Sequence, residues 1–289
     1  MNIFKLKSEL KAFLTLQKKE EKTIGFVPTM GALHQGHLSL IKRAKKKNDL
    51  VVVSIFVNPT QFDNKEDLDK YPQPLDNDIK LLEEIECDVL FTPSVKEIYS
   101  ENIVSQKFDF DGLEHQMEGK FRDGHFDGVG TIVKTFFEIV EPDVAYFGKK
   151  DFQQLQIIKK LVEKHNIPVK VKGRPIFREE DGLAMSSRNM RLSKEEKKKA
   201  AEIYKTLKAV NRKKYKLSTS ELEEYAMNRL AKKEGFKPEY FTIADGRTLK
   251  SIENIKSTNY VVACTAVWVG NVRLIDNMIL RKPRNIGLF

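Results

Sequence analysis

Two histidines three residues apart, His34 and His37, lie in the segment Pro28-Thr-Met-Gly-Ala-Leu-His34-Gln-Gly-His37. An imidazole donates hydrogen bonds whether neutral or cationic, and it can become cationic as negative charge builds on a phosphate. Gly31 and Gly36 within the same segment permit close backbone approach. A helix beginning near Gly36 aims its amides and the positive end of its dipole at an anion. Type and spacing together point to a nucleotide phosphate site. Two plainer readings stand beside it: ordinary surface or capping histidines, and metal ligands, although no nearby Cys or carboxylate completes a ligand set.

Other candidates are weaker taken singly. Lys150 and Asp151 follow a strand-like run, where they can reach a crevice at the sheet edge or form a solvent-facing Lys-Asp turn. Ser186, Ser187 and Arg188 place two hydroxyls and a guanidinium on a polar stretch suited to holding phosphate, though the tripeptide is common in loops. Gln61 and Gln154 are neutral amides just beyond two strand-like runs, able to bind polar ligand groups without altering the ligand's charge, or else plain surface or helix-facing polar residues. Asp76 and Asp78 flank Asn77 at a helix start, where acids also serve as caps.

The elements that must position these residues alternate. Strands are predicted over Thr23 to Val27, Leu50 to Val57, Asp88 to Phe91, Asp143 to Phe147 and Ile167 to Val171. Helices are predicted over Leu38 to Lys47, Asp76 to Glu86, Gly128 to Val140 and Phe152 to His165. Apolar strands without polar alternation, separated by helices, imply a parallel sheet covered on both faces, a doubly wound Rossmann-like α/β domain over residues 1–175. The loop after the first strand then lies at a carboxyl edge, where such sheets bind ligands. Beyond Arg174 the pattern changes: a polar loop to Arg191, a helix from Ser193 to about Lys216, a helix from Ser218 to Lys233, and strands at Tyr240 to Ala244, Tyr260 to Val269 and Val272 to Asn277. The last two flank a Gly270-Asn271 turn suited to a hairpin. Residues 176–289 read as a smaller α+β lid domain.

Composition excludes several classes. No apolar run approaches the roughly 20 residues of a membrane span. The amino terminus mixes apolar and charged residues at helical spacing and lacks a signal-peptide core, so a cytoplasmic location is expected. Cys87 and Cys264 are far apart and outside any ligand-spaced pair, which suits small core residues in a reducing compartment. The net charge of +10 raises the possibility of an RNA-binding module. Against it, the basic clusters are interrupted or bordered by acids and no basic strand is studded with aromatics, so solvated helix faces are expected and no nucleic-acid partner.

His34-Gln-Gly-His37 resembles the HxGH signature of the nucleotidylyltransferase superfamily, and the longer string PTMGALHQGHLSLI is similar to the pantothenate synthetases (pantoate–beta-alanine ligases). Five further blocks resemble that family in order: Ser54 to Phe62, Tyr71 to Ile79, Met117 to Val129, Pro142 to Ile158 and Asp181 to Asn189. The resemblance implies that ATP and pantoate form a pantoyl adenylate, which beta-alanine then attacks. It implies an ATP site from Met30, Gly31, Ala32, Leu33, His34, Gln35, Gly36 and His37, with Gly148, Lys149, Lys150, Asp151, Phe177, Met185, Ser186, Ser187 and Arg188. His37 is then the proton donor, His34, Lys150 and Arg188 serve catalysis, Gln61 and Gln154 hold pantoate, and Asn58 orders that pocket. Mg²⁺ accompanies ATP, with Asp78 reaching it through water. The resemblance further implies a homodimer and small-molecule substrates. Lys149 departs from the family, which usually has Glu or Gln there, and Glu118, Arg122 and His125 form a supporting polar cluster. A nucleotidylyltransferase acting on a phosphate-bearing acceptor is the alternative enzyme, and Gln61 and Gln154, where such an acceptor calls for Arg or Lys, argue against it.

Overall fold

The run Leu50-Val-Val-Val-Ser-Ile55 is buried at every position, as a central strand of a sheet covered on both sides must be. In the computed structural model, which describes residues 1–100 and 102–283, this run is one of six parallel strands. The chain divides into two compact units: Met1–Glu114 with Glu118–Lys149 and Gln154–Phe177, and His115–Met117 with Lys150–Gln153 and the chain from Arg178 onward.

The first unit follows the order β1 (Asn2–Phe4), α1 (Lys7–Lys19), β2 (Ile24–Thr29), α2 (Gln35–Lys45), β3 (Leu50–Ile55), α3 (Lys65–Asp69), α4 (Leu75–Glu84), β4 (Val89–Phe91), α5 (Val95–Tyr99), α6 (His125–Val140), β5 (Val144–Gly148), α7 (Phe152–Lys164) and β6 (Lys170–Arg174). The sheet order is β1-β4-β3-β2-β5-β6. From β2 the chain steps outward through β3 to β4, then returns to place β5 on the other side of β2. The order thus reverses beside β2, and the loop after β2 opens at the point where doubly wound sheets bind their ligands.

Both faces of β2 are packed. Phe26 meets Phe136 and Phe137 of α6 edge-on, with ring centroids 6.0 and 6.4 Å apart. Val27, on the opposite face, joins Leu38, Ile41 and Ala44 of α2 in one cluster. Burying an aromatic or branched side chain this fully contributes about 1.5–3 kcal/mol each, so β2 and the loop it carries rest on a stiff foundation. One strand escapes the sequence pattern: β1 lies where only helical spacing is predicted, and it pairs parallel to β4 through Ile3↔Leu90. Three residues are too few to show a period.

The second unit comprises α8 (Lys194–Ala200), α9 (Glu202–Lys213), α10 (Thr219–Ala231), β7 (Phe236–Asp245), β8 (Val261–Val269) and β9 (Val272–Arg281). Its three strands form an antiparallel sheet in the order β7-β8-β9. The single helix predicted from Ser193 to about Lys216 is two helices that meet at Ala201. Ser193 caps the first in a capping box with Glu196, and the apolar stripe Ile203, Leu207 and Val210 belongs to the second alone. Val269↔Val272 closes the β8–β9 hairpin around Gly270-Asn271. Among the described residues, no helix is long and apolar enough to cross a membrane.

Candidate active site

At the end of β2 the Thr29 hydroxyl donates to the Ser54 carbonyl at 2.8 Å and accepts from the Gly31 amide at 3.1 Å. Gly31 and Ala32 then adopt φ of +78° and +48°, two consecutive left-handed residues that swing the chain toward α2. A Cβ on Gly31 would lie 3.0 Å from both Asp78 Oδ2 and Ile55 Cγ2, so both φ and space reserve the position for glycine. Asp78, on α4 and 1% exposed, accepts the Ala32 amide on Oδ2 at 2.8 Å and the Leu33 amide on Oδ1 at 2.7 Å. Burial raises its proton affinity, and the two amides oppose that rise. Sequence reasoning places Asp78 near the metal through water; in the structure each of its oxygens also takes one amide and so fastens the loop.

His34 caps α2: its Nδ1 accepts the Gly36 amide at 3.1 Å, while His37 Nδ1 accepts the His34 amide at 3.4 Å. The rings stack with centroids 4.0 Å apart. A backbone N–H only donates, so both Nδ1 atoms are unprotonated and each neutral ring carries its hydrogen on Nε2. The plain capping role and the phosphate role are therefore compatible for His34. Gly36 is bare because a Cβ would lie 2.8 Å from the His34 ring, and Phe177 Cβ approaches the same spot to 3.6 Å. The amides of Gly31, Ala32, Leu33 and His34 before the helix, and of Gly36 in its first turn, donate to protein acceptors.

A short 3₁₀ turn, Pro59–Gln61, follows β3. Asn58, 1% exposed, accepts the Tyr99 hydroxyl at 2.5 Å and the Thr60 hydroxyl at 3.1 Å on Oδ1. Its Nδ2 donates to the Gly128 carbonyl at 3.1 Å and to Gln61 Oε1 at 3.3 Å. This orients the Gln61 amide, whose Nε2 points to Met30 Sδ 2.9 Å away. The structure thus joins two predicted site residues, Met30 and Gln61, while Asn58 acts from beneath. Gln154 is half-buried in the first turn of α7. Beside this turn His125 is buried, with Nδ1 2.6 Å from the Gln61 carbonyl oxygen and Nε2 3.1 Å from Arg122 Nη1. Burial first, then the Arg122 charge, lowers its pKa to about 4.

Residues of the second unit were predicted on phosphates and nucleotide. Lys150 Nζ pairs with Asp151 Oδ1 at 2.9 Å, and the Lys150 carbonyl accepts Asn277 Nδ2 at 2.7 Å. Ser186 caps the turn Ser187–Arg191 by accepting the Arg188 amide at 3.3 Å; Ser187 is buried, and Met185 and Arg188 are half-buried. The base of this loop is tied by Arg178, which sequence reasoning misses. Its guanidinium forms a bidentate pair with buried Asp276 at 2.7 and 2.9 Å and lies 3.9 Å over the Tyr204 ring. No motif marks that pair, because its members are 98 residues apart. In the first unit, Lys149 extends the β5–β6 pairing through its amide to the Arg174 carbonyl at 2.8 Å. Its stem lies against Gly173, and its charge lowers the pKa of Lys159, after burial. Among the described residues, no group of three or more His, Cys, Asp or Glu is placed to hold a metal.

A doubly wound sheet with a His-x-Gly-His turn at its switch point defines a nucleotide-binding enzyme of the nucleotidyl-transfer class. Residues 2–279 match the family model for pantoate-beta-alanine ligase. The pantothenate synthetase of Christiangramia forsetii is 50% identical over 283 residues, covering 98% of this chain and 100% of the relative. That of Bacteroides fragilis is 48% identical, covering 96% and 98%. The crystal structure of pantothenate synthetase from Thermus thermophilus superimposes with a TM-score of 0.89 at 39% identity, covering 97% of this chain and 100% of that one. A pantoate-beta-alanine ligase from Francisella tularensis, complexed with beta-gamma ATP and beta-alanine, does so with a TM-score of 0.81 at 37% identity, covering 97% and 98%. The chain belongs to the pantoate–beta-alanine ligase family. It is an ATP-dependent ligase that joins pantoate to beta-alanine to give pantothenate.

Proposed function

We propose that the reaction runs in two displacements and that the residues named above divide the labour. The pantoate carboxylate, ionised at neutral pH, needs alignment rather than a base. It attacks the α-phosphorus of ATP; the new C–O–P bond forms as the α–β P–O bond breaks and pyrophosphate leaves with the electron pair. The amine of beta-alanine then attacks the acyl carbon. The C–N bond forms, the C–O bond to phosphate breaks, AMP departs, and the ammonium proton is lost to solvent.

The observation that supports this reading is the pair of Nδ1-capped imidazoles at the switch point, with the Gln61–Met30 contact on the neighbouring strand end. Capping fixes each hydrogen on Nε2, so His34 and His37 act as donors to the phosphates, and His37 is the proton donor of the pair. Gln61 and Gln154 bind pantoate. Lys150, Ser186, Ser187 and Arg188 balance phosphate charge. Met30 to His37, Gly148 to Asp151, Phe177 and Met185 contact the nucleotide. Mg²⁺, when bound with ATP, would neutralise charge on the phosphates, with Asp78 the residue that would reach it through water. The enzyme works as a cytoplasmic homodimer.

With stoichiometric enzyme, ATP, Mg²⁺ and pantoate but no beta-alanine, about one equivalent of pyrophosphate should be released in a burst; no pantoate-dependent release would refute the adenylate route. His37→Ala should lower that burst rate about 100-fold with the fold intact. A near-normal single-turnover rate would remove His37 from the mechanism.

A further inference from the structure

The turn that carries Gln61 is three residues long and buries none of them, so its position must be imposed from outside. The element that imposes it is α6. Arg122 can only donate, so His125 Nε2, 3.1 Å from Arg122 Nη1, is an acceptor, and the ring hydrogen sits on Nδ1. That hydrogen is donated to the Gln61 carbonyl at 2.6 Å. Arg122 Nη2 donates to the same carbonyl at 3.3 Å, while its Nε and Nη1 face Asp63 at 3.2 Å and Glu118 at 4.0 Å. Three residues past His125, a Cβ on Gly128 would fall 2.3 Å from the Thr60 carbonyl oxygen and 2.7 Å from Gln61 Cα, so main chain is pressed directly against helix. The Gly128 carbonyl then accepts Asn58 Nδ2, the same group that orients the Gln61 side chain.

We propose that His125, held by Arg122, is a positioning residue for pantoate: it fixes the Gln61 main chain so that the Gln61 amide is presented at one height and angle to the substrate. This rests on the reading of Gln61 as a pantoate ligand. His125 touches no substrate itself. A ring whose two nitrogens are oppositely committed keeps the turn in one place only while it stays neutral. Burial, and after it the Arg122 charge, keeps the ring neutral against the opposing pull of the Gln61 carbonyl, Glu118 and Asp63. Holding a surface turn with a buried imidazole and guanidinium incurs a desolvation cost that apolar packing would avoid, which is the mark of a geometric requirement.

The test compares Gln61→Ala, His125→Phe, His125→Asn and His125→Gln in the full enzyme, with steady-state KM for pantoate, ATP and beta-alanine, kcat, and thermal melting. Asn offers a donor at the Nδ1 position, and Gln places its amide at the Nε2 position. Expected are a large rise in pantoate KM for Gln61→Ala and a rise of about 10- to 100-fold for His125→Phe, as for one buried hydrogen bond lost. ATP KM should be unchanged, and His125→Asn should recover pantoate KM to within about threefold. Should the Phe variant not fold, His125→Asn must still bind pantoate at least about fivefold better than His125→Gln. An unchanged pantoate KM in Gln61→Ala overturns the reading of Gln61 and the inference with it. A normal response of Gln61→Ala overturns the inference alone if His125→Phe leaves pantoate KM intact, if all three KM values move together, or if Asn and Gln behave alike.

Discussion

Asp78→Asn separates what the fold needs from what the loop needs. In the native enzyme each carboxylate oxygen takes one main-chain amide, at 2.8 and 2.7 Å. Asn keeps one acceptor and turns an NH₂ toward the other amide. The lost hydrogen bond to a charged group contributes about 1.5–3 kcal/mol, and the stranded buried N–H adds about 1–3 kcal/mol. The loop also has somewhere to go, because Ala32 at φ +48° sheds about 1–2 kcal/mol of left-handed strain if it relaxes. The held conformation therefore loses at least about 3.5 kcal/mol, or about 300-fold or more in population at about 1.4 kcal/mol per tenfold. Global stability moves the other way in part, since a neutral amide escapes the burial penalty that raises the proton affinity of Asp78. The expected result is a single-turnover rate of pyrophosphate release lowered by about 300-fold or more, with a melting temperature within about 4 °C of wild type. A folded variant releasing pyrophosphate within about threefold of the wild-type rate would show that this carboxylate does not hold the catalytic loop.

Three further outcomes follow from the same contacts. His125 has a folded pKa of about 4 against an unfolded 6.5, so the unfolded chain binds the proton first as pH falls. Its contribution is complete above pH 6.5 and is lost between 6.5 and 4, about 3 kcal/mol in all; urea midpoints at pH 7.5 and 4.5 should therefore fall further apart in wild type than in His125→Phe, and equal differences would contradict it. Arg178→Ala strands the buried Asp276 carboxylate and should destabilise the second unit by about 3–5 kcal/mol, read as an earlier unfolding transition in calorimetry. Adding EDTA should abolish pantoate-dependent pyrophosphate release, with Mg²⁺ restoring it, while leaving the melting temperature of the nucleotide-free enzyme unchanged; a fall on chelation would indicate a resident ion.

The parts of this enzyme legible in the sequence are those written in short stretches. The apolar runs at β3 and β4, the turn between His34 and His37 and the Gly270-Asn271 hairpin each carry their signal within a dozen residues. Contacts made by distant residues leave no such mark. Asp78 reads as a helix-capping acid or a metal neighbour, because nothing local shows that its carboxylate meets amides about 45 residues earlier. The capping of α2 by its own histidines is hidden for a related reason, since which ring accepts the His34 and Gly36 amides shows only in the folded turn. Arg178 with Asp276 is likewise invisible until the chain is folded.

The position of β1 has a consequence for the growing chain. β1 at residues 2–4 is synthesised well before β4 at residues 89–91, with which alone it pairs among the described strands. A parallel pairing across so wide a sequence gap closes slowly, so β1 must wait until the sheet around β2 and β3 has grown out to meet it. Until then β4 presents a bare edge, the kind of template on which neighbouring nascent chains stick together. The three modest residues of β1 thus act as the closing stitch that turns an adhesive intermediate into a finished sheet.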